Sequence, residues 1–166
     1  MTGRYAAVDV HYPAAGGAHA AAVVAEDESF ASIVDELVRW LPEVAPYEPG
    51  RFYARELPAI RGVLADAGDL ALVVVDGYVD LDPDGRPGLG GHLHAAIGTP
   101  VLGVAKTAFR AATHAVEVRR GGATRPLYVT SAGLPVARAA ALVAGMAGQH
   151  RMPDALRRVD TLARRQ

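Results

Sequence analysis

Two aspartates stand in apolar runs that otherwise carry little charge. Asp76 follows six consecutive apolar residues, 70–75, and Asp9 lies in a second apolar run, 5–10. An unbroken apolar run is typical of a strand buried on both faces of a parallel or mixed sheet. Two carboxylates on neighbouring strands would repel each other, so the pair indicates a divalent cation. For Asp76 taken alone, capping of the following turn is the commoner role.

Two further ionisable residues stand where they could join these aspartates. Glu56 lies in the segment 55–58, which predicts a helix start with Pro58 in the first turn. Its charge at that position also suits the helix dipole. Lys106, the only lysine in the chain, follows the apolar run 100–105. A lysine beside carboxylates can hold a scissile phosphate, although a surface position also explains it.

A stiff loop at 46–50 contains two prolines around an aromatic residue, Tyr47. Such a ring usually packs against its own domain, but it can also act as a wedge that parts or stacks on bases. His92 and His94 are two residues apart in a predicted helix, so they point to different faces and do not form a metal pair.

Composition limits the classes of protein to which the chain can belong. A length of 166 residues predicts a single domain spanning 1–166. The absence of cysteine excludes disulfides and thiolate metal sites and suits a reducing compartment. No apolar run approaches a membrane span, and the N-terminus has no signal-peptide pattern. We therefore expect a soluble, cytoplasmic protein without membrane partners; the oligomeric state is left open.

Charge is divided unequally along the chain. Residues 1–100 contain six Lys and Arg against fifteen Asp and Glu, whereas residues 101–166 contain eleven against three. A basic segment beside an acidic centre is typical of a metal-dependent nuclease. Neutralisation of one half by the other explains the same distribution.

The predicted elements alternate between strands and helices. Strands are predicted at 5–12, 19–25, 70–76, 100–106, 115–118 and 127–130, and helices at 55–67, 92–97, 136–146 and in the basic C-terminal tail. The turn 119–122 is predicted to be an exposed, basic hairpin turn. Residues 30–41 are ambiguous: their apolar positions fit a helical stripe, but they can also be read as a third strand of a meander.

Eight segments, in order and in register, resemble the endonuclease V family, whose members recognise deaminated purines in DNA or RNA. The matching segments are 8–12, 46–50, 52–58, 75–77, 88–93, 100–106, 127–129 and 151–153. The resemblance implies an α/β, ribonuclease H-like fold, with a central mixed sheet that begins with an antiparallel meander and is flanked by helices. In that fold residues 30–41 are a strand, against the periodicity.

The resemblance also implies the roles of individual residues. Asp9, Asp76 and Glu56 correspond to acidic residues that bind Mg²⁺, for which Mn²⁺ can substitute, and Lys106 corresponds to a catalytic lysine. The residues that correspond to nucleic-acid contacts are Pro46, Tyr47, Pro49, Gly50, Gly77 and His92. The implied activity is hydrolysis of a phosphodiester 3′ to inosine in DNA or RNA.

Two histidines of the family pattern are replaced in this chain. Asp82, before Pro83, and Leu134, after Gly133, stand where the family has histidines. These departures keep open a second reading, in which the fold survives as a nucleic-acid-binding module with weakened or lost catalysis. A third reading is a ribonuclease H-like nuclease that acts on branched or undamaged strands and has no preference for inosine.

Overall fold

The computed structural model describes residues 3–166 as a seven-stranded mixed sheet with helices on both faces. The strands are β1 (Arg4–His11), β2 (Ala18–Ala25), β3 (Ile33–Leu41), β4 (Leu70–Asp76), β5 (Val101–Ala105), β6 (Val116–Val118) and β7 (Leu127–Ala132). The helices are α1 (Tyr53–Leu64), α2 (Leu89–Ile97), α3 (Val136–Gly145) and α4 (Asp154–Arg164).

The sheet has the strand order β3-β2-β1-β4-β5-β7-β6. Strands β1, β2 and β3 form an antiparallel meander, and β4 and β5 run parallel to β1. Strand β7 pairs antiparallel with β5, and β6 pairs antiparallel with β7. Because β1 and β4 are parallel neighbours, with Val8 opposite Val75, both strands end at the same edge of the sheet. Ligands bind at such carboxyl edges in open α/β sheets.

The apolar run of β4 is buried on both faces. Val73 and Val75 pack in a core with Ile60 of α1 and Leu93 of α2. Val74 faces the opposite core, which contains residues of α3 and α4. This two-sided burial explains why the run does not alternate between apolar and polar residues.

Residues 33–41 form a strand, so the helical reading of 30–41 is wrong and the strand implied by the family resemblance is confirmed. Leu37 and Leu41 are half-buried on the α1 side of the sheet, while Val34 and Val38 are exposed. Residues four apart lie on the same face of a helix and of a strand. The spacing therefore could not distinguish the two, and pairing with β2 decides the structure.

Two other local predictions need correction. Helix α1 begins at Tyr53, two residues earlier than predicted, so Pro58 lies inside the helix and not in its first turn. Arg120, predicted in an exposed turn, is 6% exposed, and its guanidinium donates hydrogen bonds to backbone carbonyls in and after α3. The remaining elements are present, with ends shifted by up to three residues.

Among residues 3–166, no helix has both the length and the apolar character needed to cross a bilayer. Part of the charge asymmetry is neutralised within the fold, because Arg138 pairs with Glu28 and Arg158 pairs with Glu36.

Candidate active site

The ends of β1 and β4 bring Asp9 and Asp76 to one edge of the sheet. Asp9 directly follows Val8, which is opposite Val75, the residue before Asp76. Beyond Asp76 the chain turns sharply: Gly77 has a φ of +117° and donates its N–H to the Val104 carbonyl at 2.9 Å. A positive φ of this kind favours glycine.

A second glycine permits the chain to pass close to this edge. A Cβ at Gly103 of β5 would lie 2.5 Å from the Gly77 carbonyl oxygen and 2.9 Å from Thr130 Oγ1. The same Thr130 oxygen accepts a hydrogen bond from the Val79 N–H at 2.8 Å. Gly103 therefore lets the segment after Asp76 pack directly on β5.

Helix α1 contributes Glu56, which lies close enough to both aspartates to interact with them electrostatically. Burial, and then the charges of Asp9 and Asp76, raise the pKa of Glu56 to about 8. Arg55 opposes this rise but does not cancel it. The three predicted acids thus lie close enough for their charges to interact, although they are distant in sequence.

Helix α4 brings a fourth acid, Asp160, to the same cluster. Burial and a hydrogen bond to Asp160 raise the pKa of Asp9 well above its ordinary value. Burial acts to raise the pKa of Asp160 too, but hydrogen bonds from Arg164 and Asp9 outweigh it and lower this pKa. The two carboxyl groups therefore shift each other's pKa in opposite directions, and the Arg164 guanidinium lies 2.9 Å from Asp160.

Asp160 is not predicted from the sequence, because the tail that contains it has the pattern of a basic helix. In α4 the buried positions are Ala155, Leu156, Val159 and Ala163. Asp160 borders this stripe among arginines, and an acid at the edge of the apolar stripe of a basic helix is the signal that could have identified it.

Lys106, just beyond β5, lies beside Asp76. Its Nζ is 3.7 Å from Asp76 Oδ2, and the two side chains are 50% and 47% exposed. Partial burial raises the pKa of Asp76, and the nearby Lys106 acts to lower it without reversing the direction. The pair is therefore accessible from solvent and adjoins the more buried acids.

The cluster is rich in carboxylates but is not a preformed metal cage. Across residues 3–166, no three or more acidic or histidine side chains are arranged so that they could already hold a metal ion. Burial is nevertheless the main reason why the pKa values of Asp9, Glu56 and Asp76 are raised, and the charges of neighbouring acids raise them further.

An apolar pocket opens next to Asp76, with a volume of about 230 Å³. It is lined by Phe52, Tyr53, Asp76, Gly77, Tyr78, Leu81, Pro87, Gly88 and Leu89. The ring of His92 stacks on Tyr53 with a centroid distance of 3.6 Å, and burial lowers the pKa of His92. His94 instead contacts the Thr99 carbonyl through Nδ1 at 2.8 Å, so the two histidines have separate environments, as predicted.

The loop 46–50 places Tyr47 in solvent. Its side chain is 61% exposed, and its ring meets Phe52 edge-on at 6.3 Å between centroids. Pro46, Pro49 and Gly50 are exposed as well, in the same irregular segment. The common alternative, a ring packed into the domain, is therefore not what the structure contains.

The two positions that depart from the family pattern have local structural roles. Asp82 accepts hydrogen bonds from the N–H groups of Asp84 and Arg86 at 3.0 and 3.2 Å and so closes its own turn. Leu134 packs against the core beneath α3 and α4. Neither residue is among the groups that perturb the pKa values of the acid cluster.

A mixed sheet that begins with an antiparallel meander, with helices on both faces and acids at the ends of β1 and β4, defines an α/β protein of the ribonuclease H-like class. Residues 2–136 match the family model described as endonuclease V. Endonuclease V of Azotobacter vinelandii is 32% identical over 98% of this chain and 83% of that protein. The chain belongs to the endonuclease V family.

Solved structures agree with this assignment. The crystal structure of endonuclease V from Streptomyces avermitilis superimposes with a TM-score of 0.82 at 29% identity, covering 99% of this chain and 81% of that one. Endonuclease V from Ciona intestinalis, crystallised in complex with DNA containing an inosine, has a TM-score of 0.82 at 17% identity, over 98% and 84% of the two chains. The second likeness concerns the fold alone.

Proposed function

We propose that this chain is a Mg²⁺-dependent endonuclease, in which Mn²⁺ can substitute, that hydrolyses a phosphodiester 3′ to inosine in DNA or RNA. The observation that carries the proposal is the convergence of Asp9, Glu56 and Asp76 at one sheet edge beside Lys106. The Ciona relative, crystallised on DNA that contains an inosine, supports the substrate class. We place the activity in the cytoplasm, since a chain without cysteine suits a reducing compartment.

The acid cluster fits a divalent cation because its negative charge is crowded and partly buried. Asp9, Asp76 and Glu56 would hold the ion, and Asp160 is near enough to join them. Since the side chains are not preformed as a cage, binding of the ion would require Asp9 to lose its proton and the side chains to turn toward the ion. The bound ion would polarise the phosphodiester and lower the pKa of the attacking water.

The protein's own residues supply orientation and charge. In the proposed reaction, water attacks phosphorus, the bond to the 3′ oxygen breaks, and that oxygen takes a proton to leave a 3′-hydroxyl. The Lys106 ammonium, exposed beside Asp76, would stabilise the negative charge that grows on the phosphoryl oxygens. Because its Nζ already lies 3.7 Å from Asp76 Oδ2, Lys106 would need no large movement of its backbone to act beside the acids.

The apolar pocket next to Asp76 is where we place the extruded base. Its aromatic walls, Phe52, Tyr53 and Tyr78, offer faces on which a purine can stack. Gly77 contributes backbone instead of a side chain, and His92 backs Tyr53. Tyr47, exposed at the neighbouring loop, would fill the gap that the base leaves in the stack.

The test is a nicking assay on matched oligonucleotides of DNA and RNA that contain inosine or adenosine, with Mg²⁺ or Mn²⁺. We expect cleavage of inosine strands only, and loss of that cleavage in Asp76→Asn. Equal activity in wild type and Asp76→Asn would remove the assigned site. Equal cleavage of adenosine strands would instead favour the nuclease without inosine preference.

A binding assay on the same oligonucleotides tests the non-catalytic reading. Asp66→Asn, at a side chain that is 68% exposed, is the matched control for Asp76→Asn in both assays. Binding without nicking in either metal would identify a nucleic-acid-binding module and overturn the proposed hydrolysis.

A further inference from the structure

The backbone just beyond β5, which carries Lys106, is held by a side chain from the C-terminal segment. The guanidinium of Arg151 donates hydrogen bonds to the carbonyl oxygens of Lys106 at 2.5 Å and Pro126 at 2.8 Å. Its Nε donates a third, to the Arg125 carbonyl at 3.1 Å. One planar group thus ties the exit of β5 to the entry of β7.

The next carbonyl along the chain is held from the other direction. The Tyr78 hydroxyl donates to the Thr107 carbonyl at 2.8 Å and accepts the N–H of Phe109 at 2.9 Å. Tyr78 is only two residues beyond Asp76, so the segment that follows the acid also holds the segment that follows the lysine.

These contacts replace sheet hydrogen bonds that end just before Lys106. The last pair between β5 and β7 is Ala105 with Tyr128. Pro126, at the entry to β7, has no N–H with which to extend the ladder. A planar guanidinium with several fixed donors can bridge carbonyls from both strands at once, which a lysine in its place could do only in part.

We propose that Arg151 and Tyr78 are positioning residues that clamp the carbonyls of Lys106 and Thr107 and so hold the lysine ammonium against Asp76. The proposal deepens the proposed function, on which it rests for its catalytic consequence. The Lys106 side chain is half exposed, so the fold can fix its position mainly through the backbone to which it is attached. Small misplacements of a catalytic group are costly: about 1 Å can cost about 100-fold in rate.

The chain offers a direct readout, because Lys106 is its only lysine. Protein labelled with ¹³C in lysine alone gives one ε-carbon signal from the side chain, whether or not the protein cleaves nucleic acid. We expect Arg151→Gln and Tyr78→Phe each to move this signal toward its position in the denatured protein and to increase its mobility in relaxation measurements. Arg157→Gln, at an exposed arginine of α4, is the matched control and leaves the signal unchanged.

Tyr78→Phe distinguishes an effect on the clamp from an effect on the pocket, because it removes the hydroxyl and keeps the ring that lines the pocket.

In the nicking assay we expect kcat to fall by about 10- to 100-fold in Arg151→Gln, with little change in KM. Arg151→Lys, which keeps a donor and the charge, is expected to recover part of this loss.

A Lys106 signal that is the same in wild type, Arg151→Gln and Tyr78→Phe would overturn the clamp. If Arg151→Gln fails to fold, Tyr78→Phe decides the question, because it keeps Lys106 as the only lysine. Absence of nicking in the wild type would overturn the proposed function, while the ¹³C measurement would still decide whether the two side chains hold Lys106.

Discussion

The carboxyl groups of Asp9 and Asp160, from opposite ends of the chain, lie close enough at the acidic edge of the sheet that Asp160 raises the pKa of Asp9 and Asp9 lowers the pKa of Asp160. Helix α4 lies across β1 and β2, with Val159 and Ala163 buried against them, and this packing presents Asp160 to Asp9. The C-terminal helix is therefore part of the candidate site, although residues 137–166 lie outside the segment that matches the family model.

Removal of the Asp160 charge is expected to weaken metal binding and cleavage. Asp160→Asn keeps the shape of the side chain and deletes the negative charge that accepts the Asp9 proton. We expect a smaller rise in Tm on addition of Mg²⁺ and a fall in kcat of at least about tenfold. Asp66→Asn is the exposed control; an Asp160→Asn variant with wild-type metal response and rate would exclude Asp160 from the site.

Without metal, the stability of the protein is expected to fall as the pH rises. The pKa of Glu56 is 4.5 in its ordinary state and about 8 in the folded protein, mainly because of burial. Between these values the native state holds a proton that the unfolded chain has released, so the free energy of unfolding decreases with increasing pH. Thermal melts in EDTA should therefore give a lower Tm at about pH 8 than at about pH 5.

Two variants isolate this effect. Glu56→Gln cannot ionise and should reduce the dependence of Tm on pH to the part that Asp9 and Asp76 contribute. Glu117→Gln, at a half-exposed side chain, should leave the dependence as in the wild type. Mg²⁺ should raise the wild-type Tm more at the higher pH, where the acids release their protons more readily. A Tm that rises from about pH 5 to about pH 8 in EDTA would contradict the assignment.

Loss of the Tyr47 ring is expected to affect binding and not folding. The side chain is 61% exposed, so Tyr47→Ala should leave Tm nearly unchanged. Stacking on a base contributes about 1–3 kcal/mol, so affinity for inosine-containing DNA should fall by about 5- to 150-fold. Tyr47→Phe keeps the ring and should bind like the wild type; equal affinity in Tyr47→Ala would exclude the ring from the interface.

The buried guanidinium of Arg120 is expected to be important for stability. It donates to the carbonyls of Val143 and Met146 at 2.8 and 2.9 Å and to Gly148 at 3.1 Å. Arg120→Met would leave these acceptors without a donor, at a cost of about 3 kcal/mol or more, measurable by urea denaturation. Arg119 is the neighbouring arginine, and its side chain is 60% exposed. Arg119→Met should therefore change stability by no more than about 0.5 kcal/mol.

The strands that carry the predicted acids were predictable because their burial leaves a strong local pattern. The run 70–75 is apolar on both faces, as expected for a strand that lies between two layers of helices. The end of the run predicts that Asp76 is at the end of the strand, where the structure has it. Glu56 and Lys106 were found in the same way, each at an end of a recognisable element. The strand at residues 33–41 could not be predicted in this way, because a spacing of four residues fits a helix and a strand alike.

The amino-acid sequence alone predicted the family, every element except the strand at 33–41, and three acids of the candidate site, because these depend on local patterns and on motifs in register. Only the tertiary structure decided that Asp160 joins Asp9, that Arg120 is buried and that Arg151 and Tyr78 hold the segment of Lys106. These contacts join residues far apart in the chain, and their existence depends on how helices pack across the sheet. A local pattern can mark Asp160 as a candidate at the edge of an apolar stripe, but it does not specify which residue that side chain meets, because this depends on how α4 packs across the sheet.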